Sequence, residues 1–373
     1  MMHLTSQGAP SESVAHAGAF TGVLRVSPPA SFYRVGRLVV IMGALLLACV
    51  GVGMFALSIG ATRVDLSAVL SLWFGGSERH DPTMDTARII LWEVRLPRVF
   101  LGFVVGGGLA VVGVVLQSLL RNPLADPYVL GVSSGAALGV AVAMWLGIGT
   151  SLWALPALPC FGLLGSLAVL FLLHHLARSS GRLPLESLLL AGVILNAILT
   201  ALIMFVSSVM EPTRSAGLMA WMMGSLATTN GGLLAVVGLS VGLGVFVLLR
   251  HALVLNVLSF GEATARSLGA DAEQAKRRLL GVAAVLTGAV VAMSGMIGFV
   301  GMIVPHAVRL VLGPDHRLLL PAATLVGGMF LVLADTVART VMAPGELPVG
   351  VVTALAGGPC FLYLLLARRE RVV

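Results

Sequence analysis

From position 38 to position 59 the chain carries no Asp, Glu, Lys, Arg or His, and nearly every residue is apolar or glycine. About 20 such residues cross the hydrocarbon core of a bilayer as a helix. Further windows of this kind follow at 99–119, 128–146, 152–176, 185–209, 233–249, 318–338 and 348–366. The stretch 279–312 is too long for one untilted helix and contains Gly295, Gly298, Gly301 and Pro305, so it divides into a longer and a shorter span. That makes ten spans. Hydrophobic types form 58% of the 373 residues and charged types 10%, against about 25% charge in a soluble domain. So few charges cannot cover so much apolar surface in water. The composition excludes a soluble enzyme and a disordered chain, and predicts an all-α polytopic membrane protein.

Basic residues orient the spans. With the N-terminus inside and ten crossings, 16 of the 23 basic residues fall inside and seven outside. Nine crossings would place Arg368, Arg369 and Arg371 outside, against the rule. Both termini are therefore expected in the cytoplasm. Residues 1–37 read as a disordered cytoplasmic tail, 38–368 as the ten-helix transmembrane domain, and 369–373 as a cytoplasmic end.

Lys276 is the single lysine, in Glu273-Gln274-Ala275-Lys276-Arg277. A phosphate-binding Gly-x-x-x-x-Gly-Lys-Ser/Thr loop is thus absent from this sequence. If ATP drives the protein, another polypeptide hydrolyses it. Cys49, Cys160 and Cys360 are far apart in apolar runs and read as small apolar residues, with no metal-ligand spacing.

Charges inside spans usually mark ion or proton pathways. The spans here hold almost none. Asp335 is the exception, and Arg339 one turn later reads as its i,i+4 partner. That scarcity favours an external motor over a secondary transporter, which stays as the alternative of a different class. Gln117, Asn196 and Thr200 are uncharged polar residues within spans. They line a path or, more in keeping with membrane bundles, hydrogen-bond between helices. The loop from Phe260 to Ala270 is amphipathic and bracketed by Gly261 and Gly269, with Lys276-Arg277-Arg278 after it. Read alone, it suits a short helix on lipid headgroups or one docking in a groove of a cytosolic partner. Gly106 to Gly113 and Thr287 to Gly295 are similar Gly-rich helix openings in oppositely oriented spans. They hint at an inverted repeat, although small residues recur in any packed membrane bundle.

Leu96-Pro97-Arg98, Arg121-Asn122-Pro123-Leu124-Ala125-Asp126-Pro127, Leu130-Gly131-Val132-Ser133-Ser134-Gly135-Ala136, Gly261-Glu262 through Leu268-Gly269, Gly298-Phe299-Val300-Gly301 with Val304-Pro305-His306, and Leu347-Pro348-Val349-Gly350-Val351-Val352-Thr353 occur in this order. Together they resemble the membrane subunits of type II ABC importers for iron chelates, haem and cobalamin, over residues 38–368. The resemblance implies ten transmembrane helices with helices 2–5 and 7–10 related by an inverted repeat. It implies two copies of the chain, two cytosolic ATPase subunits, and a periplasmic or lipid-anchored substrate-binding protein. ATP and Mg would be bound by the ATPase, and this chain would hold no cofactor, metal or nucleic acid. By match, Gly261, Glu262, Ala265, Arg266, Leu268 and Gly269 would contact the ATPase. Arg95, Arg98 and Arg339 would meet acidic residues of the binding protein, although Arg95 with Glu93 and Arg339 with Asp335 are available as intrachain pairs. The location implied is a bacterial inner membrane. An iron chelate is the first substrate expected, with cobalamin or haem behind it.

Overall fold

The computed structural model describes residues 35–60, 86, 88–148, 157–178, 185–227, 231–269 and 271–369. The tail expected over 1–37 lies almost entirely outside them, as does the terminal stretch after Arg369. Among the described residues there are thirteen α-helices: α1 (Val35–Ser58), α2 (Leu96–Leu119), α3 (Val132–Trp145), α4 (Ala157–Arg178), α5 (Leu185–Val209), α6 (Pro212–Met222), α7 (Gly231–Arg250), α8 (Ala252–Ser259), α9 (Glu262–Ser267), α10 (Ala272–Ser294), α11 (Val300–Leu312), α12 (His316–Ala338) and α13 (Val349–Arg369). A π-helical turn, Ile90–Arg95, leads into α2, and a 3-10 turn, Pro127–Leu130, leads into α3.

Six helices are long and apolar enough to cross a bilayer: α1, α2 with its π-helical lead, α5, α7, α10 and α12. Four more, α3, α4, α11 and α13, are apolar over shorter lengths. Each of the ten spans expected from the sequence coincides with one of these. The short helices α6, α8 and α9 were not among them, because eleven residues or fewer leave no bilayer-length window. The third window opens four residues early, since Gly131 at φ +74° separates the 3-10 turn from α3.

Ten crossings return the chain to the face it left. One end of the bundle therefore gathers the start of α1, the α2–α3 link, the α8–α9 hairpin and the end of α13. It is called the hairpin end below, and the opposite one the far end. The centre is α2, 19 of whose residues are buried. It packs along α12, while α10 packs along α4. Likewise α3 lies on α4, and α11 on α12. This exchange of partners is what an inverted relation between helices 2–5 (α2–α5) and helices 7–10 (α10–α13) produces. The second helices of the two sets are both short: α3 has 14 residues and α11 has 13.

Small residues make these crossings possible. A Cβ at Gly106 would strike the carbonyl of Gly327, so α2 and α12 touch backbone to backbone. In the other set, a Cβ at Gly288 would lie 2.7 Å from Ser166 Cβ, at the contact of α10 with α4. Gly106 and Gly288 are the matched positions of the two Gly-rich stretches seen in the sequence.

Candidate functional site

At the hairpin end, α8 and α9 fold back on each other beneath the bundle. The inner side of α8 is Ala252, Leu255 and Leu258, all buried in the main core together with Ala265 of α9. The outer side of α9 is solvent-facing: Ala263, Thr264, Arg266, Ser267 and Leu268 are exposed. Phe260 and Leu268 flank it at 77% and 68% exposure. Gly261 turns the chain between the helices at φ +111°, a conformation that disfavours any side chain, and Gly269 ends the hairpin at φ +79°.

Charges hold the hairpin to α10. Lys276 is 1% exposed, and its Nζ donates to Glu262 Oε1 at 2.9 Å and to Glu273 Oε1 at 2.7 Å. Arg266 Nη2 donates to Glu262 Oε2 at 3.2 Å. That exposed i,i+4 pair adds little to stability, whereas the buried lysine depends on its carboxylates. Of the six positions expected to contact a partner, the structure brings all into this hairpin. Ala265 and Gly261 are its buried support, Arg266, Leu268 and Gly269 lie on its outer side, and Glu262 is half-buried between.

The far end holds a buried charge cluster. Arg98 donates Nε and Nη2 to the Asp335 carboxylate at 2.9–3.0 Å, and Nη1 to Glu346 Oε2 at 2.8 Å. Arg339 Nε lies 3.7 Å from Asp335 Oδ2. The last carbonyls of α1 lack partners within their own helix. Arg339 donates to Ala56 O, and Arg95 to Leu57 O. Cations suit a helix C-terminus, so the two arginines cap α1. The structure thus gathers Arg95, Arg98 and Arg339 in one place. They are only 3%, 7% and 4% exposed, and are turned inward onto α1 and Asp335. Glu346, which reading the sequence missed, is the half-exposed member on the outer side.

Two of the three polar residues within spans join helices. Gln117 donates Nε2 to Met302 O at 2.9 Å and accepts from Arg309 Nη1 at 3.0 Å, which ties α2 to α11. Asn196 Oδ1 accepts from Ser134 Oγ, which ties α5 to α3. Thr200 Oγ1 donates within its own helix to Asn196 O at 2.7 Å. Among the described residues no three His, Cys, Asp or Glu side chains converge as metal ligands would.

The pattern of the FecCD transport family matches residues 45–367. The chain belongs to the FecCD transport family. It is similar to the cobalamin import system permease of Halobacterium salinarum, with 46% identity over 78% of this chain and 76% of that protein. It is also similar to the hemin transport system permease of Yersinia pestis, with 40% identity over 88% and 96%. The iron(3+)-hydroxamate import permease of Bacillus subtilis is 33% identical over 89% and 98%. A solved inward-facing structure of a metal-chelate type ABC transporter superposes with a TM-score of 0.77 at 31% identity, covering 88% of this chain and 99% of that one. This FecCD family member is a multi-pass membrane permease, a transport component and not an enzyme.

Proposed function

We propose that this chain is the permease subunit of an ATP-driven importer for large metal chelates. One observation carries the reading beyond family membership: the α8–α9 hairpin presents exposed Phe260, Arg266 and Leu268 on a rigid, buried underside. That is a surface built to be gripped, in a chain that has no P-loop of its own. A separate cytosolic ATPase, holding ATP and Mg, takes the outer side of α9, with Gly261, Glu262, Ala265, Arg266, Leu268 and Gly269 as the coupling loop. The hairpin end is then the cytoplasmic one, with both termini on that side of a bacterial inner membrane.

Two copies enclose the path. α5 supports this pairing: Leu190, Val193, Ile194, Ile198, Leu202 and Phe205 give it a broad exposed apolar side. Gln117 and Asn196 hold helices in register around that path, and Thr200 bonds back to Asn196 O within its own helix. A substrate-binding protein delivers cargo at the far end, steered by charge. Direct pairing of its carboxylates with Arg95, Arg98 and Arg339 requires Glu346 to yield Arg98 Nη1, which is the outermost of the bonds in that cluster. Alternating access follows. Loaded binding protein docks, ATP turnover shifts the hairpins, and the path opens to each side in turn.

Ferric siderophore is the first cargo in this reading, on the breadth of the family. Cobalamin is the second, favoured by the 46% identity with a cobalamin permease; haem is the third. Uptake of radiolabelled ferric siderophore, cobalamin and haem in a strain lacking this gene, with and without ATP depletion, tests both class and cargo. Loss of one ATP-dependent uptake names the substrate. In the same assay Arg266→Glu combined with disruption of the Gly261–Gly269 loop abolishes uptake. Wild-type uptake by that variant removes the coupling assignment.

A further inference from the structure

Two consecutive residues near the end of α2, Gln117 and Ser118, are buried and bonded to different helices. Gln117 holds α11, as described above. The Ser118 hydroxyl meets Nε2 of His316, the first residue of α12, and also lies 2.7 Å from Val114 O in its own helix. His316 is 3% exposed. Its Nδ1 is 2.6 Å from Asn256 Oδ1, and its backbone N–H donates to the same oxygen at 2.9 Å. Asn256 belongs to α8, and its Nδ2 donates to Asp315 Oδ1 at 2.8 Å.

These partners fix the Asn256 amide and one side of the His316 ring. The amide oxygen must face the backbone N–H, and the amide nitrogen must face the carboxylate. His316 Nδ1 therefore carries a proton and donates to Asn256 Oδ1, while on the other side of the ring Nε2 and the Ser118 hydroxyl share one hydrogen bond beside the hydroxyl's bond to Val114 O. The result is one chain of directed bonds, α8 to α12 to α2. The rest of α8 rests on the bundle through apolar side chains, Ala252, Leu255 and Leu258. Apolar contact is non-directional and lets a helix slide; hydrogen bonds with fixed angles do not.

We propose that Asn256, His316 and Ser118 form the joint through which displacement of the α8–α9 hairpin reaches the packed pair α2 and α12. The inference rests on the function proposed above. Lys276 makes the corresponding tie from α9 to α10 through Glu262. Because α2 and α10 open the two inverted sets, the hairpin grips both. Asn256, His316 and Ser118 are positioning residues. None lies on the outer side of α9, so changing them leaves the partner's docking surface in place.

The test uses the full assembly of this chain with its ATPase and binding protein in proteoliposomes, reading chelate imported per ATP hydrolysed. In Asn256→Leu and His316→Phe that ratio falls about tenfold while hydrolysis stays within about twofold of wild type. A purely stabilising role would lower import and hydrolysis together and leave the ratio alone. Ser118→Ala, which removes a single hydroxyl and is the mildest change to the fold, lowers the ratio about two- to fivefold. The double variant Asn256→Leu/His316→Phe loses no more than the worse single variant, because one joint breaks once. An unchanged ratio in Ser118→Ala and the larger variants, or fully additive losses in the double, overturns the joint. Wild-type assemblies that import without hydrolysing ATP overturn the proposed function itself, and the joint with it.

Discussion

Arg98 and Asp335 stand 237 positions apart in sequence and meet through two nitrogens of one guanidinium. The pair is buried. Removing Asp335 leaves Arg98 with Glu346 alone, and removing Arg98 leaves Asp335 with the more distant Arg339; breaking a buried pair costs about 3–5 kcal/mol. Arg98→Ala and Asp335→Ala are each expected to lower the thermal midpoint of the detergent-purified protein sharply. Arg98→Met with Asp335→Leu is expected to recover most of the loss, because an apolar pair restores neutrality and packing. A double variant no better than the singles would show that the arginine's other contacts, Glu346 above all, dominate. Part of this cluster was legible beforehand. Arg339 with Asp335 follows from i,i+4 spacing on one helix. Arg98 does not, because pairing across the bundle leaves no local spacing to read. The caps on α1 were hidden for the same reason: nothing in Arg95 or Arg339 says which helix end lacks partners.

At the scale of helices, the apolar windows located all ten spans, since bilayer thickness sets a length that composition alone reveals. The Gly-rich stretches gave only a hint of the inverted repeat, because small residues recur in any packed membrane bundle. The α8–α9 hairpin was legible only as an amphipathic loop. Its anchoring by Asn256 and His316 depends on a fold that brings positions 118, 256 and 316 together. Gly106 gives the sharpest expected outcome at this scale. Gly106→Leu forces α2 off α12 and is expected to cost about 1–3 kcal/mol or more, read as reduced yield of monodisperse protein and a lower melting midpoint. Gly43→Ala, on α1 with nothing within 4 Å of the added carbon, is expected to be neutral or slightly stabilising, by about 0.5–1 kcal/mol. Equal behaviour of the two variants would contradict the backbone contact between α2 and α12.

For the whole molecule, the two ends differ in kind. Among the described residues, the far end holds Arg95, Arg98 and Arg339 turned inward onto α1 and Asp335, with Glu211 and Arg214 paired at its surface. The hairpin end exposes apolar and basic side chains on a braced support and ties them to both inverted sets. Such an asymmetry suits a chain moved from one side by a partner. The scarcity of buried acids in the spans, evident from the sequence, points the same way, because an ion-driven carrier needs groups that bind its ion. The energy source is therefore the claim on which the account stands. It is tested by chelate uptake into proteoliposomes containing the full assembly, comparing an ionophore with a hydrolysis-dead ATPase subunit. The account predicts uptake that survives the ionophore and stops with the dead ATPase. Uptake that stops with the ionophore and continues with the dead ATPase would contradict it.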